Sequence, residues 1–267
     1  MMMKKIATLA AFAVLLLPPA QAEYLYGFAD LNVNYLDWTT KTERNSGGFK
    51  EDFYYIELEG GAGFDWGDFY GFFDMENTFA GNDSKSDGEG GRFYGNSTFR
   101  IASKFSIGYN LVNNWQAYFQ TYYAMGNGFY DSTNVFGVRY KLFTDSGFWM
   151  TPFLGLNYTR TDGWTGVNGG MLGWVFGYDF NAGSQKLSVT NWHETEFGRD
   201  DNYLGFTDPD GNFIPTNSGE VGHNGALALW WHLPKNFSLG LQYRYFRNKL
   251  GQGGYGDAVI YTFKYNF

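Results

Sequence analysis

Glu57 and Glu59 stand two residues apart, and so do Asp74 and Glu76. In an extended strand that spacing puts both members of a pair on one face. A turn signal, Asp65-Trp66-Gly67, lies between the pairs. Folding the chain back about residues 65–67 sets Glu59 across from Asp74 and Glu57 across from Glu76. Four carboxylates this close need counter-charge, because like charges oppose one another's ionisation. Basic residues in the same alternation phase supply it: Arg100, Lys104, Arg139, Arg244 and Lys264, with Arg100 expected beside Asp74. An acidic wall facing a basic one sets up a field that suits dipolar solutes better than simple ions. The plain alternative is that the charges pair off and brace a solvated interior.

Seven aromatic residues share that phase: Phe28, Phe53, Tyr55, Tyr70, Phe72, Tyr118 and Tyr122. A purely watery passage needs none of them. Beside charged groups their faces can hold a flat base and its sugar, since base–aromatic stacking is worth roughly 1–3 kcal/mol. A passage must also release what it holds, so weak contacts at several sites suit it best. As packing, the same rings would simply fill a narrow space.

Other chemistry finds little support. The three histidines are His193, His223 and His232, and only His193-Glu194, with Glu196, forms a His–carboxylate cluster. No nucleophile motif accompanies it, so no enzymatic activity is expected. A third and fourth metal ligand are lacking, and no cofactor is expected. Residues 82–84 and 208–211 (Asn-Asp-Ser and Asp-Pro-Asp-Gly) could bind Ca²⁺, although solvated acidic turns are the commoner use of such runs.

The elements that must position these residues are strands. Period-two alternation recurs in blocks of about ten to twelve residues. Val259, Tyr261, Phe263, Tyr265 and Phe267 form one apolar face, with Thr262, Lys264 and Asn266 between them. Twelve blocks begin near Tyr24, Asp52, Asp68, Asn96, Trp115, Ser132, Phe148, Asn168, Gln185, Gly222, Asn236 and Gly256. An even count with short turns alternating against longer connections (39–51, 80–95 and 195–221) predicts an all-β, transmembrane antiparallel barrel of 12 strands. The short turns then lie in the periplasm and the longer loops outside the cell. Pro152 falls inside the seventh block and predicts a bulge there. The alternation breaks at Asn191-Trp192-His193, which stays unassigned.

Composition agrees. Aromatic residues make up 21% of the chain, yet mean hydropathy is −0.36, a pairing that suits lipid outside and water inside. There are no cysteines, and the net charge of −8 lacks the basic footprint of a nucleic-acid binder. Lys4 and Lys5, the apolar stretch Ile6 to Leu17, Pro18-Pro19 and Ala20-Gln21-Ala22 predict a signal peptide over 1–22. The barrel then occupies 23–267 in the outer membrane of a Gram-negative bacterium. A short anchoring helix is the alternative, but a membrane span needs about 20 apolar residues.

Residues 55–61 (Tyr-Ile-Glu-Leu-Glu-Gly-Gly) and 65–74 (Asp-Trp-Gly-Asp-Phe-Tyr-Gly-Phe-Phe-Asp) resemble the Tsx-like nucleoside channels and the related OmpK-type proteins. Lys104-Phe105-Ser106-Ile107 and the closing Thr262-Phe263-Lys264-Tyr265-Asn266-Phe267 are similar to that family too. The resemblance is sharp over 52–83. It implies a monomeric twelve-stranded barrel whose narrow pore, lined by aromatic and ionisable residues, passes nucleosides and deoxynucleosides. Arg100 and Ala102 stand where the family pattern has acidic residues. OmpK-type members look like phage receptors as well, so the alternatives are a surface receptor, docking bacteriophage through loop 195–221, or a general small-solute porin. The partners so implied are small solutes and outer-membrane lipid.

Overall fold

The computed structural model describes residues 22–47, 50–78, 99–126, 129–207, 213–215 and 219–267. The expected signal peptide over 1–22, the 80–95 connection and both Ca²⁺ candidates fall almost wholly outside them.

Twelve long strands make the wall: β1 (Tyr24–Trp38), β2 (Phe53–Phe64), β3 (Gly67–Glu76), β4 (Arg100–Asn110), β5 (Trp115–Gly126) and β6 (Phe129–Tyr140), then β7 (Phe153–Thr161), β8 (Thr165–Ala182), β9 (Gln185–Phe197), β10 (Gly222–His232), β11 (Phe237–Lys249) and β12 (Gln252–Asn266). Each pairs antiparallel with its sequence neighbours, and β12 pairs with β1 from Asp30↔Asn266 to Trp38↔Ala258. Phe267 N–H donates to the Ala29 carbonyl at 3.0 Å and completes that seam. The ring has no free edge, which is the condition for strands to cross a bilayer.

Its faces are inverted relative to a water-soluble fold. Along β1, Asn32 and Asn34 are 1% exposed, whereas Val33 between them is 49% exposed. Asp30, Gln116, Gln120, Asn157, Thr159, Asn168 and Thr262 are buried, while Leu58, Phe105, Leu156, Leu227, Leu241 and Phe263 lie open on the outside. Polar side chains gathered within and aliphatic ones without place lipid around the cylinder and water in it.

No bulge forms at Pro152. Leu142↔Met150 and Arg139↔Phe153 hold one register on the β6 flank, and Gly173↔Phe153 and Phe176↔Met150 hold one on the β8 flank. Only the bond that a Pro N–H would have made is lost, while the Pro152 carbonyl still accepts from Tyr140 N–H at 2.9 Å. An insertion lies instead in the neighbouring β8, between Val167 and Gly170. Gly169 adopts φ +66° there, and a Cβ would collide with the Phe197 carbonyl oxygen. Gly169→Ala is therefore expected to cost about 1–3 kcal/mol. A lower temperature for loss of the folded, fast-migrating band on unboiled gels is the readout.

At the outer end of β1 sits the one helix among the described residues, α1 (Thr40–Asn45), capped by the Thr39 hydroxyl. Thr42 fastens it to β12, accepting from Asp257 N–H at 2.8 Å.

Candidate functional site

The inward faces of β1, β2, β3 and β12 carry the acidic wall. Its register differs from the sequence expectation by two residues: Glu57 lies across from Asp74, Glu59 from Phe72 and Tyr55 from Glu76. The cause is a turn of only Asp65 and Trp66, with Gly67 already paired to Phe64. Arg100 accordingly meets Glu76, at 2.7 Å, and Ala102 takes the place opposite Asp74. Lys264, opposite Asn32, reaches Asp30 at 3.1 Å and Glu59 at 3.2 Å, with its ammonium 4.5 Å from the Trp230 ring. Asn32 Nδ2 donates to Asp30 Oδ1 at 2.9 Å and to Glu57 Oε1 at 2.6 Å, and Tyr70 OH donates to Glu59 Oε1 at 2.6 Å. Asn32 Oδ1 and Asp74 Oδ1 are buried acceptors without a partner among the described residues. The wall thus offers acceptors to a solute that carries donors.

A bridge crosses the lumen, its Lys104 in register with Phe72 and so with Glu59. Lys104 on β4 and Glu194 on β9 approach to 2.6 Å, although four strands separate them one way round and six the other. Gln120 Nε2 also donates to Glu194 Oε1, at 2.7 Å. The Trp192 ring lies beside the bridge, 5.4 Å from Lys104 Nζ and 5.1 Å from the Arg244 guanidinium. Both cations are held against the indole by its ring quadrupole.

Toward the outer mouth the lumen turns apolar: Leu36, Trp38, Phe53, Tyr55, Phe246, Ala258 and Ile260 cluster there. Trp38 meets Phe246 edge-on at 5.9 Å, and the Arg100 guanidinium lies 4.9 Å from the Phe53 ring. Lys50, in the loop above, covers the cluster, its Nζ 5.5 Å from Trp38 and donating to the Leu250 carbonyl at 2.8 Å. Toward the inner mouth, Asp68 is paired with Arg139 and Lys141 and accepts from Gln116 at 2.9 Å. Tyr118 packs against Phe153 in a tilted pair at 4.9 Å, with the Arg139 guanidinium over its ring at 4.8 Å.

The structure does not bring every expected residue together. Phe28 lies near the inner mouth, half exposed, 6.4 Å from Tyr70. Tyr122 sits level with Lys104, opposite it on β5. Phe72 neighbours Tyr70 edge-on at 6.5 Å. The His193–Glu194–Glu196 cluster is undone, because β9 runs unbroken through residues 191–193. Glu194 and Glu196 then face inward with Trp192, while His193 faces out. His232 Nε2 meets the Ser188 hydroxyl, but its Nδ1 faces the Ser238 hydroxyl at 3.1 Å rather than a carboxylate. Among the described residues no group of three or more His, Asp or Glu could hold a metal ion.

Residues 33–267 match the family described as nucleoside-specific channel-forming protein, Tsx. This chain belongs to the Tsx family. It is therefore an outer-membrane β-barrel of a nucleoside-specific channel family, as the sequence resemblance implied. Solved structures similar to it include the outer membrane channel DcaP of Acinetobacter baumannii, 13% identical over 94% of this chain and 99% of that one, with a TM-score of 0.35. Others are Salmonella typhi OmpF in complex with daunomycin (9%, 91% and 100%, 0.36) and the Vibrio cholerae outer membrane protein OmpT (7%, 92% and 100%, 0.39).

Within this Tsx-family lumen, sequence reasoning had missed Trp192, Glu194, Trp230, Asp30, Asn32, Trp38 and Phe246. Asp30, Asn32 and Trp38 were within reach, because they continue the even-numbered phase of Phe28. Trp192 was not, because polar residues flank it on both faces of β9.

Lys50, above the membrane-spanning strands, supplies a pH test. Burial, then the nearby Arg100, lowers its pKa to about 8. A lysine held neutral by the fold costs stability wherever it must be charged. That cost is full below about pH 8 and shrinks as pH rises toward the ordinary lysine value. The wild type is expected to melt at a higher temperature at pH 9.5 than at pH 7, and Lys50→Met to lose most of that difference.

Proposed function

We propose that nucleosides cross this lumen by passive, stepwise exchange between aromatic faces and a hydrogen-bonding wall, with no covalent chemistry. The outer cluster of Trp38, Phe53, Tyr55 and Phe246 receives the base. Trp192, with Lys104 and Arg244 beside it, stacks it at the constriction. Asp30, Asn32, Glu57, Glu59, Asp74 and Glu76 meet the sugar hydroxyls and base edges, with Tyr70, Phe72, Tyr118, Tyr122, Arg100 and Arg139 completing the lining. The observation that carries this reading is the indole between two cations, facing a wall with unpartnered acceptors. No solute of one charge sign needs both, whereas a neutral base with a polyhydroxyl sugar uses each.

Planar-bilayer recordings with thymidine or adenosine, against an inorganic-salt control, test the reading. Solute-dependent interruption of the current at submillimolar to millimolar concentration is expected. Traces unchanged by either nucleoside would leave only a general small-solute pore. We further propose a monomer, since apolar side chains face outward on strands all round the ring. Loop 195–221, long and acidic, supports a second, compatible role in docking phage or another partner. Its base is pinned by Arg199, which pairs with Glu196 at 2.6 Å and donates to the Asn248 carbonyl at 2.5 Å.

A further inference from the structure

On the lipid side of β8–β11 the wall stops being aliphatic. Leu227, Leu229 and Leu241 give way, toward the outer end of the same strands, to Trp174, Asn191, His193, Thr195, His223, Tyr245 and Arg247. A lipid-facing surface gains nothing from histidine, threonine or asparagine, and polar groups set against hydrocarbon are costly unless satisfied. Here they are organised. Tyr245 OH meets His193 Nδ1 at 2.9 Å, His193 Nε2 meets Thr195 Oγ1 at 2.9 Å, and that hydroxyl meets His223 Nδ1 at 2.9 Å. The His193 ring is stacked on Trp174 at 4.4 Å, and Trp174 Nε1 donates to Asn191 Oδ1 at 2.8 Å. The backbone makes room for this: a Cβ at Gly225 would meet the Tyr245 hydroxyl at 2.5 Å, so only glycine lets that side chain lie across β10 to His193. Beside the relay, Arg247 is exposed and directly opposite His223. His223 Nε2 has no hydrogen-bond partner among the described residues.

We propose that this patch binds the anionic phosphate of an outer-leaflet lipid. Its depth fits, since His223 is the second residue of β10 and Arg247 lies two residues from the end of β11, the level of headgroups rather than acyl chains. The donor set fits too: a guanidinium matches phosphate oxygens two at a time, and an imidazole N–H held by a relay adds a directed third contact. At that depth, lipid phosphate is the negative charge that an exposed, outward cation meets. The phosphate can belong to a phosphorylated glycolipid or to a glycerophospholipid.

Native mass spectrometry of detergent-purified protein separates these sources, with diphosphoryl lipid A, phosphatidylglycerol and uncharged monogalactosyl diglyceride added in parallel. The wild type is expected to retain one phosphate-bearing lipid, and the preferred one identifies the source. An Arg247→Ala, His223→Gln double variant should retain it about tenfold less, whereas Lys235→Ala, on the periplasmic turn, should match wild type. If the double variant loses its heat-modifiable gel shift, Arg247→Ala alone serves, because that side chain is exposed. Equal retention of the uncharged lipid by wild type, or undiminished retention by a folded Arg247 variant, overturns the proposal.

Discussion

A Lys104→Ala, Glu194→Ala double variant is expected to conduct potassium chloride several-fold better than wild type and to discriminate less between nucleosides and salt. The reason is geometric. These two side chains meet across the lumen from β4 to β9, and their contact lies beside the Trp192 ring. Removing both shortens the obstruction from each side without stranding a charge. Removing one is different. In Glu194→Ala the Lys104 ammonium keeps its place but loses its counter-ion. Stripping one partner from a buried pair costs about 3–5 kcal/mol, and less where water can enter. The lumen admits some water, since the two side chains are 15% and 10% exposed, so the lower part of that range or below applies. The single variants should thus melt earlier than the double one, a non-additive cycle readable by unboiled gel migration against temperature. If the double variant conducts like wild type, the bridge does not limit flow.

The second large effect is expected from Trp192→Ala. Stacking contributes roughly 1–3 kcal/mol per base. Apparent nucleoside affinity should fall by about five- to a hundredfold at equal chloride conductance. Concentration-dependent current block by adenosine is the measurement. A matching change in salt conductance would assign Trp192 to shaping the pore rather than to gripping the solute. Unchanged block would remove it from the solute path.

Much of this cylinder was written in its alternation. The predicted starts at Tyr24, Trp115, Gln185 and Gly222 are observed strand starts, because period-two burial needs no long-range knowledge. Where a prediction slipped, the missing information was not local. The offset between β2 and β3 depended on whether Gly67 belongs to the turn or to the strand, and two residues there moved Asp74 from Glu59 to Glu57. At Pro152 a side-chain rule predicted a bulge. The ladder instead tolerates one absent donor, and the inserted residue lies at Gly169 on the next strand, where glycine's permitted backbone is used. Lys104 and Glu194 are 90 residues apart, and nothing near either one names the other. Parity put the expected pore residues on the inward face, but partnership across a lumen is a property of the closed ring. At β9 the signal was lost for a third reason. The outward residues Asn191, His193 and Thr195 are as polar as the inward ones, so the two faces cannot be told apart by hydropathy.

The seam between β1 and β12 bears on how the molecule comes to exist at all. The first stave's neighbour is the last, so the pairing that seals the wall joins residues more than two hundred positions apart, from Asp30 with Asn266 upward. Until it forms, two rows of backbone donors and acceptors stand open, a state that hydrocarbon tolerates poorly and that invites pairing with other chains. Assembly should therefore be abrupt and late. A chain whose final stave cannot pair, as with Tyr261→Pro, Phe263→Pro and Tyr265→Pro together, is expected to accumulate outside the bilayer as aggregate rather than as a shorter pore, visible as protein that never acquires heat-modifiable migration.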